Sequence, residues 1–192
     1  MAVAAGKEGV FVLVASIRSE RLLRLDPVTG TVRSTTALAR VGSDYGGVAV
    51  HAGTVWAAAG SRLFRITARG RLVATIDVGG VAASVFASSS AVWVTRATGK
   101  LGELVRVDPR SNRVVARIRM GGGPDSVVAA LGSVWVANTS PASVMRIDPE
   151  TNRVVARLWP TDLASALAPA HGLLWVAGER LVGLDAKGRI VR

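Results

Sequence analysis

Along the chain, apolar residues come in short runs of Val, Ala, Leu and Ile, and turn-forming residues break them every eight to twelve positions. Residues 126–158 show the pattern most clearly. "SVVAAL" (126–131), "SVWVAN" (133–138), "SVMRID" (143–148) and "RVVARL" (153–158) are parted by Gly, Pro, Asn or Ser. Each run has the length and β-branched content of a strand. A helical reading fails, because β-branched residues follow one another and glycine recurs at strand spacing.

The pattern repeats. "RVDPRSNRVVARI" (106–118) and "RIDPETNRVVARL" (146–158) are identical at nine of thirteen positions. Trp56, Trp93, Trp135 and Trp175 stand in one frame, "GTVWAAA", "SAVWVTR", "GSVWVAN" and "GLLWVAG", at spacings of 37, 42 and 40. Phe11 takes the same place in "GVFVLVA". A second column runs through Asp26, Thr67, Asp108, Asp148 and Asp185, where the third strand turns into the fourth. That turn has a mechanism. The Asp148 carboxylate can accept the backbone N–H groups that follow it, and Pro149 presets φ. Asn152, or Gly30, Gly70 and Gly188 in sister units, tolerates the left-handed conformation that returns the chain.

Four antiparallel strands every forty residues or so predict an all-β chain: a β-propeller of about five four-stranded antiparallel blades. The reading takes 1–192 as a single domain, with blades at approximately 1–38, 46–77, 81–119, 125–158 and 163–192. A blade cannot bury both faces alone, so the tryptophans and the aliphatics of each third strand are expected to fill the space between successive blades. Either a small closed ring or a partial, open propeller fits five units. The sequence favours the open form, which would leave apolar blade faces for self-association or for the rest of a larger ring.

The repeats "GPDSV", "GSVWVAN" and "SVMRIDPETNRVVARL" resemble those of YVTN-type propellers and of streptogramin (virginiamycin B) lyase-like propellers. The resemblance covers almost the whole chain. It implies rings of six or seven blades, with roles from surface or scaffold protein to metal-dependent carbon–oxygen lyase. The lyase role implies histidine and glutamate near the central channel and a divalent metal. After the strand-two aromatic the chain holds "AAAG", "VTRA", "VANT" and "VAGE", so Glu179 alone matches. His51 and His171 fall before the second strand, in a turn at the opposite rim. The residues therefore do not support lyase chemistry, and no catalytic, metal or cofactor residue is assigned.

Composition narrows the picture further. No apolar run approaches the ~20 residues of a membrane-spanning helix, and "VFVLVA" (10–15) is only strand-length. No signal peptide is read at the start, and compartment stays open. Without cysteine there is no thiolate chemistry. The net charge of +11 is carried by 21 Arg against 3 Lys. Arg24, Arg65, Arg106 and Arg146 recur two positions before the turn, on the strand face of Asp26, Asp108 and Asp148. Arg71, Arg113, Arg153 and Arg189 open the outermost strands. Charged outer strands oppose edge-to-edge pairing, and Arg beside Asp would add weak pairs. Nucleic acid is disfavoured as a partner, because the arginines recur in every unit rather than on one face. "MGGGPDS" (120–126) precedes a strand and lacks the helix of a phosphate cradle. "NTS" (138–140) fits a glycan acceptor sequence but reads as a loop.

The loop-rich rim, made by the links between second and third strands and between units, is where a binding site is expected. Its candidate contacts are Asp44, Tyr45, Arg96, Lys100, Asp125, Asn138, Trp159 and Asp162. The expected function is a non-enzymatic binding or scaffold module for a protein or small-molecule ligand.

Overall fold

The computed structural model describes residues 1–15, 19–38, 45–98 and 101–191. Among them there is no helix, and so none long and apolar enough to cross a membrane. Nineteen strands form five antiparallel sheets in chain order. The first holds β1 (Ala2–Gly6), β2 (Gly9–Ala15), β3 (Glu20–Leu25) and β4 (Val32–Leu38). The second holds β5 (Gly46–His51), β6 (Thr54–Ala59), β7 (Arg62–Thr67) and β8 (Leu72–Asp77). The third is β9 (Val81–Ala87), β10 (Val92–Thr98), β11 (Leu101–Asp108) and β12 (Arg113–Gly121). The fourth is β13 (Pro124–Ala130), β14 (Ser133–Thr139), β15 (Ala142–Asp148) and β16 (Arg153–Leu158). The last has three strands, β17 (Ala166–Ala170), β18 (Leu173–Ala177) and β19 (Leu181–Leu184). Every sheet is a meander, each strand paired to the next in sequence. The chain adopts the β-propeller fold class that its period predicts. In the last unit the fourth strand is reduced to a bridge between Leu184 and Ile190.

The turn between third and fourth strands follows the chemistry of its residues. Asp148 Oδ1 accepts the N–H of Glu150 at 2.8 Å, and Asp26 Oδ1 accepts those of Val28 at 3.0 Å and Thr29 at 2.9 Å. Asp108 and Asp185 repeat the arrangement with Arg110 and Lys187. These donors favour the ionised form, so all four carboxyls lie below the ordinary aspartate range; the backbone N–H bond is the leading cause in each. Asn112 and Asn152 return the chain at φ 56° and 58°. A one-residue register shift follows in the sheets of β3, β7 and β15.

The chain divides into two compact units, Met1–Val94 with Arg106–Val115 and Thr95–Val105 with Ala116–Arg192. Within the first unit, Phe11, Leu13 and Leu22 of sheet one join Val55, Ala57, Phe64 and Ile66 of sheet two in one apolar cluster. Within the second unit, Trp135, Ala137 and Val144 of sheet four join Leu167, Leu174, Val176 and Leu184 of sheet five. Each cluster lies between two successive sheets of its unit. First strands lie side by side, β1 against β5, β5 against β9, and β13 against β17.

Trp56, Trp93 and Trp135 are buried, whereas Trp175 is only half-buried. The difference has a visible correlate on the third strand. Trp56 faces Arg65 and Trp135 faces Arg146 across their hairpins, while Trp175 faces Gly183. The guanidinium carbons of Arg65, Arg106 and Arg146 lie 5.3, 5.2 and 5.8 Å from the ring centres of Trp56, Trp93 and Trp135. These half-buried arginines therefore stack on the second-strand rings, and the Arg146 charge also helps to lower the Asp148 carboxyl. Arg65 also donates to the Pro109 carbonyl at 2.8 Å and to Asn112 Oδ1 at 3.0 Å, tying sheet two to the turn of sheet three. The aspartates that do form ion pairs use the fourth strand or its opening: Arg33 with Asp26 at 2.8 Å and Arg189 with Asp185 at 2.7 Å.

Candidate functional site

The eight rim residues named from the sequence fall into three groups. Asp44 and Lys100 lie outside the described residues. Tyr45, Asp125, Trp159 and Asp162 are exposed, and Tyr45 belongs to the first unit while the other three belong to the second. Arg96 and Asn138 are buried, at 8% and 1% exposure.

The second unit assembles a polar site around Asn138. Across the sheet Asn138 pairs with Pro124 on one side and Ser143 on the other. The register shifts between Pro124 and Ser126, leaving Asp125 as the extra residue of a bulge beside Asn138. The Asn138 Nδ2 amide donates to Ser143 Oγ at 3.3 Å. Its Oδ1 is buried with no hydrogen-bond partner among the described residues. Desolvation raises the Asp125 carboxyl above the ordinary aspartate value.

Glycine holds this segment against its neighbours. A Cβ on Gly122 would stand 1.3 Å from the Ser140 carbonyl oxygen, so no other residue can sit there without moving the backbone. A Cβ on Gly102 would meet the Gly122 carbonyl oxygen at 2.0 Å and Pro124 Cδ at 2.1 Å. The β10–β11 hairpin, the 121–125 link and the β14–β15 hairpin thus stack backbone on backbone. Thr139 completes the stack by donating its N–H to the Gly123 carbonyl at 2.8 Å. "MGGGPDS" is consequently a packing device for the rim.

Arg96 and Glu103 flank Gly102 and form an ion pair, Nη2 to Oε2. Arg96 Nε is buried and has no hydrogen-bond partner among the described residues. Arg96 and Asn138 occupy the same place in successive units, three residues after Trp93 and Trp135. One offers an unused donor and the other an unused acceptor, each worth about 1–3 kcal/mol to satisfy. Glu103 and Ser143 escaped the sequence reading. Their signal was present in the reciprocal spacing of Arg96 and Glu103 about the hairpin, seven residues apart. Burial of Asn138 also removes the glycan reading of "NTS", since an acceptor amide must be accessible.

His171 stands in the β17–β18 turn at φ 51° and Glu179 is exposed in the β18–β19 link, so the strand separates them. Among the described residues no group of three His, Cys, Asp or Glu side chains is gathered closely enough to hold a metal ion.

No protein-family model matches the chain, and no curated protein matches it. Solved structures do. The chain is similar to hydrazine synthase of Kuenenia stuttgartiensis at 14% identity, over 98% of this chain and 64% of that one, with a TM-score of 0.78. It is also similar to a protein of unknown function from Bacteroides caccae at 17% identity, over 99% of this chain and 79% of that one, with a TM-score of 0.71. The chain thus spans a little under two thirds of the hydrazine synthase chain it matches. At these identities the likeness shows the fold, and with the repeated sheets it defines a β-propeller protein.

Proposed function

We propose that the chain is a non-enzymatic binding module of the YVTN-like kind, which takes a protein segment or small molecule at the rim around Arg96, Asp125 and Asn138. The observation that carries this reading is the pair of buried, unused hydrogen-bonding atoms, Arg96 Nε and Asn138 Oδ1, at equivalent places in adjacent hairpins. Buried polar atoms are costly to leave unmatched, and a scaffold this regular places them only where something offsets that cost. Asp125 adds a desolvated carboxyl on a bulge, a device that aims side chains. Such a set recognises a ligand with adjacent donor and acceptor groups, such as a carboxamide or a peptide backbone.

The metal-dependent lyase reading has less behind it. His171 and Glu179, the groups its resemblance would use in the second unit, stand at opposite ends of β18.

A fragment screen by ligand-observed NMR tests the proposal, using wild type, Arg96→Lys and Asn138→Ser. Amide-bearing fragments should bind wild type and lose at least about fivefold in affinity in Asn138→Ser, equivalent to one hydrogen bond. Fragments that bind all three forms equally would refute the assignment. So would turnover of a streptogramin in the presence of magnesium.

A further inference from the structure

We propose that the surface where the ends of β12 and β16 meet docks single-stranded nucleic acid, with phosphates on Arg119 and Arg157 and a base stacked on Trp159. The surface shares no residue with the Arg96, Asp125 and Asn138 site, and it emerges from sorting the arginines by what they touch. Arg24, Arg65 and Arg146 donate into the protein, to the Glu8 carbonyl, to Pro109 and Asn112, and to Ser133. Arg33, Arg96 and Arg189 are paired with carboxylates. What remains on the outer strands of the second unit is of one kind. On β12, Arg119 is exposed between the buried Ile118 and Met120. On β16, Arg157 is exposed and so is Trp159 two residues further on, while the register shift between Arg146 and Ile147 places Arg153, opposite Asp148, on the other face of the sheet from Arg157, opposite Met145. Arg119 and Arg157 have no carboxylate partner among the described residues.

Two contacts bring the parts together. A Cβ on Gly121, at the end of β12, would lie 3.7 Å from Arg157 Nη2, so the ends of the two strands meet at that guanidinium. Arg180 donates to the Pro160 carbonyl at 3.4 Å, which sets a further cation beside Trp159. Trp159 itself is 66% exposed, whereas Trp56, Trp93 and Trp135 are at most 2% exposed. An indole left in water next to exposed guanidiniums is the combination that binds single strands: charge follows the backbone and the ring stacks a base. A duplex keeps its bases stacked inside and offers the indole nothing. Exposed carboxylates enter beyond the ring, at Asp162 and Glu179, and mark where the path ends. The sequence alone could not separate these arginines from the others, which is why their recurrence counted against nucleic acid.

Fluorescence anisotropy with a labelled oligothymidylate of about 20 nucleotides tests the assignment, from about 25 to 200 mM salt. Wild type should bind at low salt. Trp159→Ala should weaken binding about fivefold or more at unchanged salt slope, and Trp159→Phe should keep most of the affinity. Arg119→Ser with Arg157→Ser should flatten the slope of log affinity against log salt by about 1.4, two phosphates at ~0.7 each. Asp162→Asn should tighten binding. Arg96→Lys and Asn138→Ser should leave it unchanged, which separates this surface from the rim site. Absence of binding at low salt overturns the proposal, as does wild-type affinity in Trp159→Ala. Heparin or a duplex binding as tightly as the single strand would also overturn it, in favour of a general polyanion surface.

Discussion

Single residues decide the turns and the rim. Asp148 is held ionised by the backbone N–H of Glu150, and its carboxyl lies below the ordinary range for that reason. A carboxyl whose folded value lies below its unfolded one adds stability above about pH 4 and loses it as pH falls further. Asp148→Asn keeps an acceptor and removes the charge. Thermal melts should therefore show wild type above the variant at neutral pH, with the gap closing as pH drops from about 5 towards 2. A gap that widens in acid would contradict the turn chemistry. Gly122 is a second such position. Gly122→Ala puts a methyl group into the Ser140 carbonyl, and should lower stability by about 1–3 kcal/mol in denaturant melts. An unchanged melt would mean that the 121–125 link does not rest on the β14–β15 hairpin.

Elements show where residue patterns inform and where they mislead. The hairpin from third to fourth strand was legible in full, because Asp, Pro and Asn or Gly each act on their own backbone, and local chemistry needs no tertiary context. The third-strand arginines were not. Arg146 stands two residues before Asp148 in sequence, yet across the hairpin it meets Trp135, and its Nε donates to the Ser133 hydroxyl. Strand alternation alone gives the face of a residue and not its cross-strand neighbour. Arg65→Met should cost about 1–3 kcal/mol in denaturant unfolding, while Arg69→Met at an exposed turn should stay within about 0.5 kcal/mol. Equal effects would return Arg65 to the solvated rim. The candidate site was half legible for the same reason. Loops could be located, but the Asp125 bulge and the burial of Asn138 depend on register that sequence does not state.

At the scale of the molecule, the claim is that successive sheets exclude water from one another through the second-strand aromatics. Trp135 lies in the cluster shared by sheets four and five and is fully buried, while Trp175 is half-buried. Trp135→Ala should accordingly cost about 3–5 kcal/mol, and Trp175→Ala clearly less. The period of the sequence reveals this layering because a sheet that is apolar on both faces must be covered on both. It is silent on ligands, because the repeat is conserved geometry, and binding resides in the few positions where units differ, such as Arg96 against Asn138.

The most direct test is the set of proton–proton contacts made by the Trp135 indole in solution, read by nuclear Overhauser spectroscopy on methyl-labelled protein. The account requires contacts to methyls of sheet five, among Leu167, Leu174, Val176, Val182 and Leu184. An indole in contact only with methyls of its own β13–β16 sheet would contradict it.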